Sequence, residues 1–197
     1  MKHSLGNLYR MNKHLSSRQP LQKTHLLHHI HAYDLITFRW CMCRKHQQGL
    51  ASLSKIISHS ADGLYYALIP ALIYLIDEGK ASSSFMALSL GFCIERPLYA
   101  LLKKALKRNR PADILPNFQS VICPSDQFSF PSGHTSGAFL CATVIATLLP
   151  IMFWPAYFWA CLVGASRIFL GVHFPTDTLA GALMGTAIAI ITMGYII

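Results

Sequence analysis

The feature that most constrains the fold of this chain is a series of five apolar segments in its last two thirds. They run over residues 64–76, 85–102, 136–149, 153–170 and 179–197. A helix that crosses a bilayer needs about 17 to 25 mostly apolar residues. The fourth and fifth segments meet this length, the second meets it with an interruption, and the first and third need flanking residues. We therefore predict an all-α, polytopic membrane bundle with about five transmembrane helices.

The alternative for the shorter segments is a buried helix in a soluble helical domain. The distribution of charge argues against it, because Arg167 and Asp177 are the only Asp, Glu, Lys or Arg residues between positions 136 and 197. A soluble domain of this size needs charged helix faces. The hydrophobic content of 53% also exceeds the roughly 45 to 50% that is usual in soluble proteins.

Adjacent opposite charges interrupt the second apolar segment at Glu95 and Arg96, and Pro97 follows them. Charges inside an apolar stretch are costly unless they pair or face protein. Glu95 also lies about 12 Å along a helix axis from Lys103, the first cation of the motifs below. We therefore predict a buried pairing or a kink at Pro97 rather than contact with a ligand.

The first sixty residues form a separate basic segment, so we predict two domains, residues 1–60 and residues 61–197. Nine of the seventeen lysines and arginines and eight of the ten histidines lie in the first domain, which has no long apolar run. Residues 35–42 are too few to cross a bilayer and include Arg39. We predict one or two amphipathic interfacial helices there, with partly disordered flanks.

Four histidines of this segment are close in sequence: His25, His28, His29 and His31. Such spacings can bind zinc, but only Asp34 stands near enough to complete a site, and an exposed cationic tail explains the cluster equally well. The net charge of +9 suggests attraction to anionic lipid more than to nucleic acid, because aromatic residues are not interleaved with the basic ones. We predict no metal, no cofactor and no nucleic-acid partner; the oligomeric state is left open.

Three short motifs in the second half of the chain specify a phosphate site. The stretch KKALKRNRP over residues 103–111 supplies cations, and FPSGH over residues 130–134 supplies a serine, a glycine amide and a histidine. The third, SRIFLGVHFPTD over residues 166–177, supplies an arginine, a histidine and an aspartate. Arginine matches phosphate oxygens with two parallel donors, while lysine acts as a point charge. These groups can bind a phosphoryl group and stabilise its transition state.

Local geometry suggests how the second and third motifs act. A helix that begins near Ser132 would aim free backbone amides at an anion. His173 and Asp177 are four residues apart, so the carboxylate can orient the ring and leave its other nitrogen as a nucleophile. Pro175 favours a helix that starts at residue 175 or 176, with the histidine just before it.

These motifs resemble the signature of the type 2 phosphatidic acid phosphatase superfamily, K-x6-RP, PSGH and SR-x5-H-x3-D, at every defining position. The resemblance implies that His173 attacks phosphorus and becomes a phosphohistidine, that Asp177 orients it, and that His134 protonates the leaving oxygen. It also implies that no metal takes part. The phosphate would be held by five further residues: Lys103, Arg110, Ser132, Gly133 and Arg167.

The resemblance and the apolar segments together predict a metal-independent membrane phosphatase. Its candidate substrates are undecaprenyl pyrophosphate, phosphatidic acid and phosphatidylglycerol phosphate. A lipid phosphotransferase with the same intermediate and a non-catalytic membrane scaffold remain as alternatives. The family also contains soluble acid phosphatases and vanadium haloperoxidases, so the fold alone does not select the reaction.

The motifs all fall at the ends of predicted helices that share one membrane face. That face carries nearly all the lysines and arginines, and the positive-inside rule would place it in the cytoplasm. The resemblance implies the reverse, because bacterial lipid phosphatases of this family usually open to the periplasm. We expect a multi-pass protein of the bacterial inner (cytoplasmic) membrane with a periplasmic active site.

Overall fold

The computed structural model describes residues 25–42 and 47–197, and side chains at 31–42 and 49–197. The chain divides into two compact units, Met1–Tyr33 and Asp34–Ile197. Within the described residues all regular structure is helical, which confirms the predicted all-α class. The predicted domain boundary at residue 60 stays a prediction.

The described part of the chain contains nine α-helices and one short 3-10 helix at Pro150–Met152. The α-helices are α1 (His25–Met42), α2 (Gln47–His59), α3 (Gly63–Tyr66), α4 (Ile69–Ile76), α5 (Glu78–Leu106), α6 (Pro111–Ile114), α7 (Gly133–Leu148), α8 (Phe153–Phe169) and α9 (Pro175–Ile196).

Three helical stretches are long and apolar enough to cross a membrane: Glu78–Ile114, Pro150–Phe169 and Pro175–Ile196. A fourth candidate is a pair of helical stretches, Gly49–His59 and Gly63–Ile76, bent by 48° at their junction. Helix α7 is apolar but has only 16 residues. Each of the five predicted apolar segments thus lies in helical structure. The helices of the first and third segments are too short to cross a membrane by themselves, as the sequence predicted. The chain is a multi-pass membrane protein.

Exposed apolar side chains occur on all three of the long membrane-capable stretches. Phe85 and Leu101 are exposed on α5, Trp154 on α8, and Leu183 and Tyr195 on α9. A soluble protein rarely leaves so many large apolar side chains in water. These faces are suited to contact with lipid.

Helices α7 and α9 approach each other closely because glycines of α9 face the α7 backbone. A Cβ added at Gly185 would lie 2.1 Å from the carbonyl oxygen of Ser136, and one at Gly181 would lie 2.5 Å from that of Ser132. Small residues allow such backbone contact between membrane helices. At the motif end of the pair, the Ser132 amide donates to the carbonyl oxygen of Asp177 at 3.0 Å.

The three motifs lie at or next to the ends of helices. Helix α5 ends at Leu106, where Lys107 takes a left-handed conformation with φ 44°. Ser132 is the N-cap of α7, and Pro175 occupies the first turn of α9, as the sequence predicted. Residues 107–132 form the connection between α5 and α7, with α6 as a single turn.

The charged interruption of α5 forms an ion pair of which only Glu95 is buried, while the Arg96 side chain is half exposed. Glu95 is fully buried and forms an ion pair with Arg96. Helix α5 continues through Pro97. Arg96 lies over the rings of Phe92 and Tyr99, with its guanidinium carbon 5.9 and 5.1 Å from their centroids.

The second half of α1 is packed against the motif-bearing region. Phe38 is fully buried, and its ring centroid lies 5.3 Å from that of Phe118 and 5.5 Å from that of Phe174. The predicted interfacial position of this helix stays a prediction. The side chains of His25, His28 and His29, to which the metal alternative applied, lie outside the described ones.

Candidate active site

The first motif places its two predicted phosphate ligands around a carboxylate. Lys103 Nζ lies 2.6 Å from Asp126 Oδ2, and Arg110 pairs with the other oxygen of the same carboxylate. Tyr99 joins them, because Lys103 donates to its hydroxyl, which in turn donates to Asp126 Oδ2 at 2.6 Å. Arg110 also donates from Nη1 to the carbonyl oxygen of Val172 at 2.6 Å. Both cations are thereby held beside the third motif.

Asp126 is ionised in this setting. Burial alone would raise the pKa of its carboxyl, but hydrogen bonds from Lys103 and Tyr99 and the charge of Lys103 oppose that effect. With a further hydrogen bond from Arg110, the pKa is lowered to about 2. Its negative charge therefore offsets part of the positive charge of the two cations at neutral pH.

The second motif presents backbone at the start of α7. The Ser132 side chain is buried and its Oγ lies 2.9 Å from Thr135 Oγ1. A Cβ on Gly133 would lie 2.9 Å from the Tyr99 ring, so a side chain there would require that ring to shift. The first amides of α7 thus face the end of the bundle where Tyr99 and its partners lie, as an anion site at a helix start requires.

The third motif places His173 and Asp177 together, but they do not form a short hydrogen bond. His173 Nδ1 lies 3.7 Å from Asp177 Oδ2, which is an ion-pair distance rather than a hydrogen bond. Asp177 Oδ2 accepts from the Phe174 amide at 2.8 Å. Its Oδ1 accepts from Arg108 Nη1 at 2.6 Å.

A buried carboxylate of α1 completes this arrangement. Asp34 pairs with Arg108, and its Oδ1 accepts from the Thr176 amide at 3.0 Å. Arg108 also donates to Thr176 Oγ1 at 2.7 Å. The arginine therefore lies between two buried carboxylates, Asp34 and Asp177, which are 2% and 0% exposed.

His173 itself is neutral over the physiological range. Burial lowers its pKa to about 4. The charge of Asp177 opposes this shift, while the charges of Arg167 and Arg110 add to it. A neutral imidazole has a free electron pair on nitrogen, which a nucleophile requires.

Arg167 and His134 lie on a second side of the site. Arg167 is buried, and its Nη1 donates to Ser58 Oγ of α2 at 2.6 Å. His134 Nε2 lies 3.1 Å from Asp62 Oδ1, so the ring can donate to that carboxylate. Arg167 and His134 line one cavity of about 370 Å³, together with Ser58 and Asp62.

Two of the predicted site residues, one phosphate ligand and the nucleophile, have buried polar atoms without a hydrogen-bond partner in the described part of the chain. Arg167 Nε and His173 Nδ1 are buried and have no hydrogen-bond partner among the described residues. Buried polar groups are nearly always partnered, and each exception calls for an explanation. A bound oxyanion would satisfy the guanidinium.

A larger cavity of about 590 Å³ leads from His134 along the bundle between α3 and α5. Asp62, Arg96 and His134 line its polar end. Apolar residues line the remainder: Tyr66, Ala67, Pro70, Phe85, Leu88 and Phe92. One cavity thus extends from His134 into an apolar groove among membrane-capable helices, whereas His173 lines neither of these two cavities.

Sequence reasoning did not find four of the charged residues that contact the motif residues. They are Asp34, Asp62, Arg108 and Asp126. The chain has only eight acidic residues, and this scarcity in a membrane protein was the available signal, because ionisable groups there are expensive and tend to be functional. Within the described part of the chain, no group of three or more His, Cys, Asp or Glu side chains could hold a metal ion.

Comparison with known proteins gives a consistent result. The model of the PAP2 superfamily matches residues 82–196. The chain is 34% identical over 143 residues to phosphatidylglycerophosphatase B of Bacillus subtilis, covering 65% of this chain and 67% of that protein. It is 30% identical over 138 residues to an undecaprenyl-diphosphatase of Sulfolobus acidocaldarius, covering 66% and 64%. The crystal structure of Aquifex aeolicus LpxE superposes with a TM-score of 0.71 at 30% identity, covering 82% of this chain and 94% of that one.

Proposed function

The chain belongs to the PAP2 superfamily, and from that premise we propose that it is a membrane phosphatase that hydrolyses a lipid phosphate or pyrophosphate through a phosphohistidine at His173. The observation that carries the proposal is the meeting of all three motifs at one end of the bundle. Arg110 and Arg167 act by charge on His173, a buried histidine whose pKa is lowered to about 4. Lys103 shares the Asp126 carboxylate with Arg110. Such a set suits a tetrahedral anion and an in-line nucleophile.

In the first step, His173 Nε2 attacks phosphorus and the bond from phosphorus to the leaving oxygen breaks. Asp177 faces Nδ1 at 3.7 Å and stabilises the positive charge that the ring acquires. His134 gives its proton to the leaving oxygen. In the second step water attacks the phosphohistidine, His134 accepts a proton from that water, and inorganic phosphate is released while His173 returns to its neutral form.

Fixed cations supply the electrostatic stabilisation that the transition state needs. Charge spreads over three equatorial phosphoryl oxygens, and arginine side chains match those oxygens with paired donors. Arg167 Nε is buried with no protein partner among the described residues, and would donate to one oxygen. Lys103 and Arg110 are held by Asp126, so they are ordered before a substrate binds. These cations can do the work that metal ions do in other phosphatases, so we propose a metal-independent reaction.

The apolar groove supports a lipid substrate. It begins at His134, where the leaving oxygen would lie, and continues past Tyr66, Leu88 and Phe92. A hydrocarbon tail attached to that oxygen could follow the groove toward the bilayer. Relatives named for phosphatidylglycerophosphate and undecaprenyl diphosphate hydrolysis favour the same class of substrate.

Purified protein assayed against a panel of lipid phosphates and pyrophosphates tests the proposal. We expect release of inorganic phosphate without any added acceptor, and full activity in excess chelator. His173→Ala and Arg167→Ala should each lower phosphate release to well below about 1% of the parent, since each removes a group that acts in the transition state. Arg39→Ala, at an exposed arginine of α1, is the matched control and should retain activity.

A phosphoenzyme trap separates the covalent mechanism from other routes. Acid-labile label from a phosphate-labelled lipid should remain on the parent protein after rapid quenching and be absent from His173→Ala. Full activity of His173→Ala would exclude the mechanism. Phosphate transfer that strictly requires a lipid acceptor would favour a phosphotransferase, and activity restored by magnesium after chelation would argue for a metal route.

A further inference from the structure

Asp62 contacts the histidine that the proposed mechanism uses as a general acid. It precedes α3, in a part of the chain that lies before the matched residues 82–196. Its Oδ1 lies 3.1 Å from His134 Nε2, and its Oδ2 forms an ion pair with His59 Nδ1. Asp62 and His134 line both cavities of the site.

Burial opposes the protonation of His134 most strongly, and the nearby positive charges add to that effect. Arg167 of α8 and Arg96 of α5 both act on the ring with positive charge. Asp62 acts with negative charge and also accepts a hydrogen bond. A general acid must carry its proton when the leaving group departs. Among the described groups that act on this ring, Asp62 favours the charged form that such an acid needs.

We propose, on the premise of the phosphatase function above, that Asp62 is a positioning residue that orients His134 for proton donation to the leaving oxygen and stabilises its protonated form as the leaving group departs. With Nε2–H directed at Asp62, Nδ1 is the nitrogen that gives its proton to the oxygen as the P–O bond breaks. His134 is then neutral and accepts a proton from the attacking water in the second step. Asp62 keeps its charge throughout.

The arrangement gives each histidine its own carboxylate. Asp177 faces His173 from α9, and Asp62 faces His134 from the turn before α3. The two pairs would act on opposite sides of the phosphorus atom, one toward the nucleophile and one toward the leaving group. A carboxylate that only tied α3 to α7 would affect stability, but it would not change how the rate depends on the leaving group.

Leaving-group dependence tests this role. An alkyl lipid phosphate has a poor leaving group, an alkoxide, which needs a proton from the general acid as it departs. A nitrophenyl phosphate that carries an alkyl chain has a nitrophenolate leaving group, which departs without that proton. In Asp62→Asn we expect kcat/KM, which reports the steps up to phosphoenzyme formation, to fall on the order of 100-fold for the alkyl substrate, within the usual range for general acid catalysis, and less than about threefold for the aryl substrate. His134→Ala should show the same selectivity in kcat/KM, while its kcat falls for both substrates because the second step loses its base.

Two further variants control for folding and charge. Asp77 is the N-cap of α5 and pairs with Lys80 in the first turn of that helix. Asp77→Asn removes this aspartate and should leave the rates with both substrates unchanged. Asp62→Glu keeps the carboxylate, so its rate with the alkyl substrate should be at least about tenfold higher than that of Asp62→Asn. This variant tests the role even where Asp62→Asn does not fold. Rates are expressed per folded molecule.

The outcomes separate the two proposals. If the parent protein hydrolyses neither substrate, or if His173→Ala is fully active, the phosphatase proposal fails. If the parent hydrolyses both but Asp62→Asn slows them equally, or leaves the alkyl rate unchanged, the role of Asp62 is overturned while the phosphatase proposal stands. Failure of Asp62→Glu to recover any alkyl rate would also overturn it.

Discussion

The two histidines of the proposed mechanism are each matched with a carboxylate, but at the residue scale their settings differ. Burial opposes the protonation of both rings, but His173 is only 2% exposed. His134 is partly exposed and opens onto both cavities. A buried neutral ring suits a nucleophile, and a ring that reaches the leaving group suits proton transfer.

The lowered pKa of His173 predicts an unusual pH dependence. The neutral ring is the reactive form, so it stays available as the pH falls from 7 and is lost only near pH 4, rather than near 6.5 as for an ordinary histidine. We therefore expect the rate constant for single-turnover phosphoenzyme formation with an aryl phosphate, corrected for substrate ionisation, to fall with decreasing pH only near pH 4, where His173 becomes protonated. A limb centred near 6.5 would contradict the buried, neutral state of this side chain.

Arg108 should be as important to the stability of the site as the predicted phosphate ligands Lys103 and Arg110, because it lies between two buried carboxylates. Arg108→Gln leaves Asp34 and Asp177 without their shared cation, and removal of one partner of a buried pair costs about 3 to 5 kcal/mol. We expect a clear fall in the thermal unfolding midpoint in detergent. The double variant Asp34→Asn with Arg108→Gln should be more stable than Arg108→Gln alone, since it removes one of the stranded charges. Equal stability of the two variants would argue against the coupling.

The predicted site residues could be found from sequence because their spacing within each motif is short. His173 and Asp177 are four residues apart, and the motifs sit at helix ends that Pro175 and Ser132 mark. Asp62 and Asp34 could not be found this way, because they meet His134 and Arg108 only through folding, at separations of 72 and 74 residues. Their identity depends on how α1 and the turn before α3 pack, which no local spacing encodes.

At the scale of elements, the contact between α7 and α9 sets the geometry of the site. The Ser132 amide and the Asp177 carbonyl oxygen are hydrogen-bonded across it, so a shift of either helix moves both motifs. Apolar length predicted that these helices exist, and the third segment was predicted to be short. The helix pairing itself was not predicted, because close packing depends on which face carries the glycines.

A methyl group at the contact should therefore be damaging. Gly185→Ala would place a Cβ 2.1 Å from the Ser136 carbonyl oxygen, and overpacking of this kind typically costs about 1 to 3 kcal/mol or more. We expect lower thermal stability and reduced phosphate release. Gly194→Ala on the same helix is the matched control, since nothing lies within 4 Å of its added Cβ, and alanine favours helix by about 1 kcal/mol. Equal stability of the two variants would show that the helices can separate at little cost.

At the scale of the whole molecule, the chain carries two opposing signals for its orientation. Nine of its seventeen lysines and arginines lie in the first sixty residues, and basic segments usually remain in the cytoplasm. Several of the other cations contact the candidate site, so chemistry rather than topology explains their presence. The resemblance predicts a periplasmic site, and that orientation stays a prediction. The number of lysines and arginines on the side of the site is therefore weaker evidence for a cytoplasmic site than the positive-inside rule alone would suggest.

The course of α9 makes the orientation measurable. This helix begins beside His173 and runs for 22 residues, about 33 Å at 1.5 Å per residue, which is enough to cross a hydrocarbon core of about 30 Å. Ile197 therefore lies on the membrane face opposite the site. For a periplasmic site, a reporter that works only in the periplasm should be inactive when fused at Ile197, and a cytoplasmic reporter should be active there. Insertions at Gln119, in the connection beside the site, should give the opposite result. The reverse pattern at both positions would place the site in the cytoplasm and require that its lipid substrate be presented from the inner leaflet.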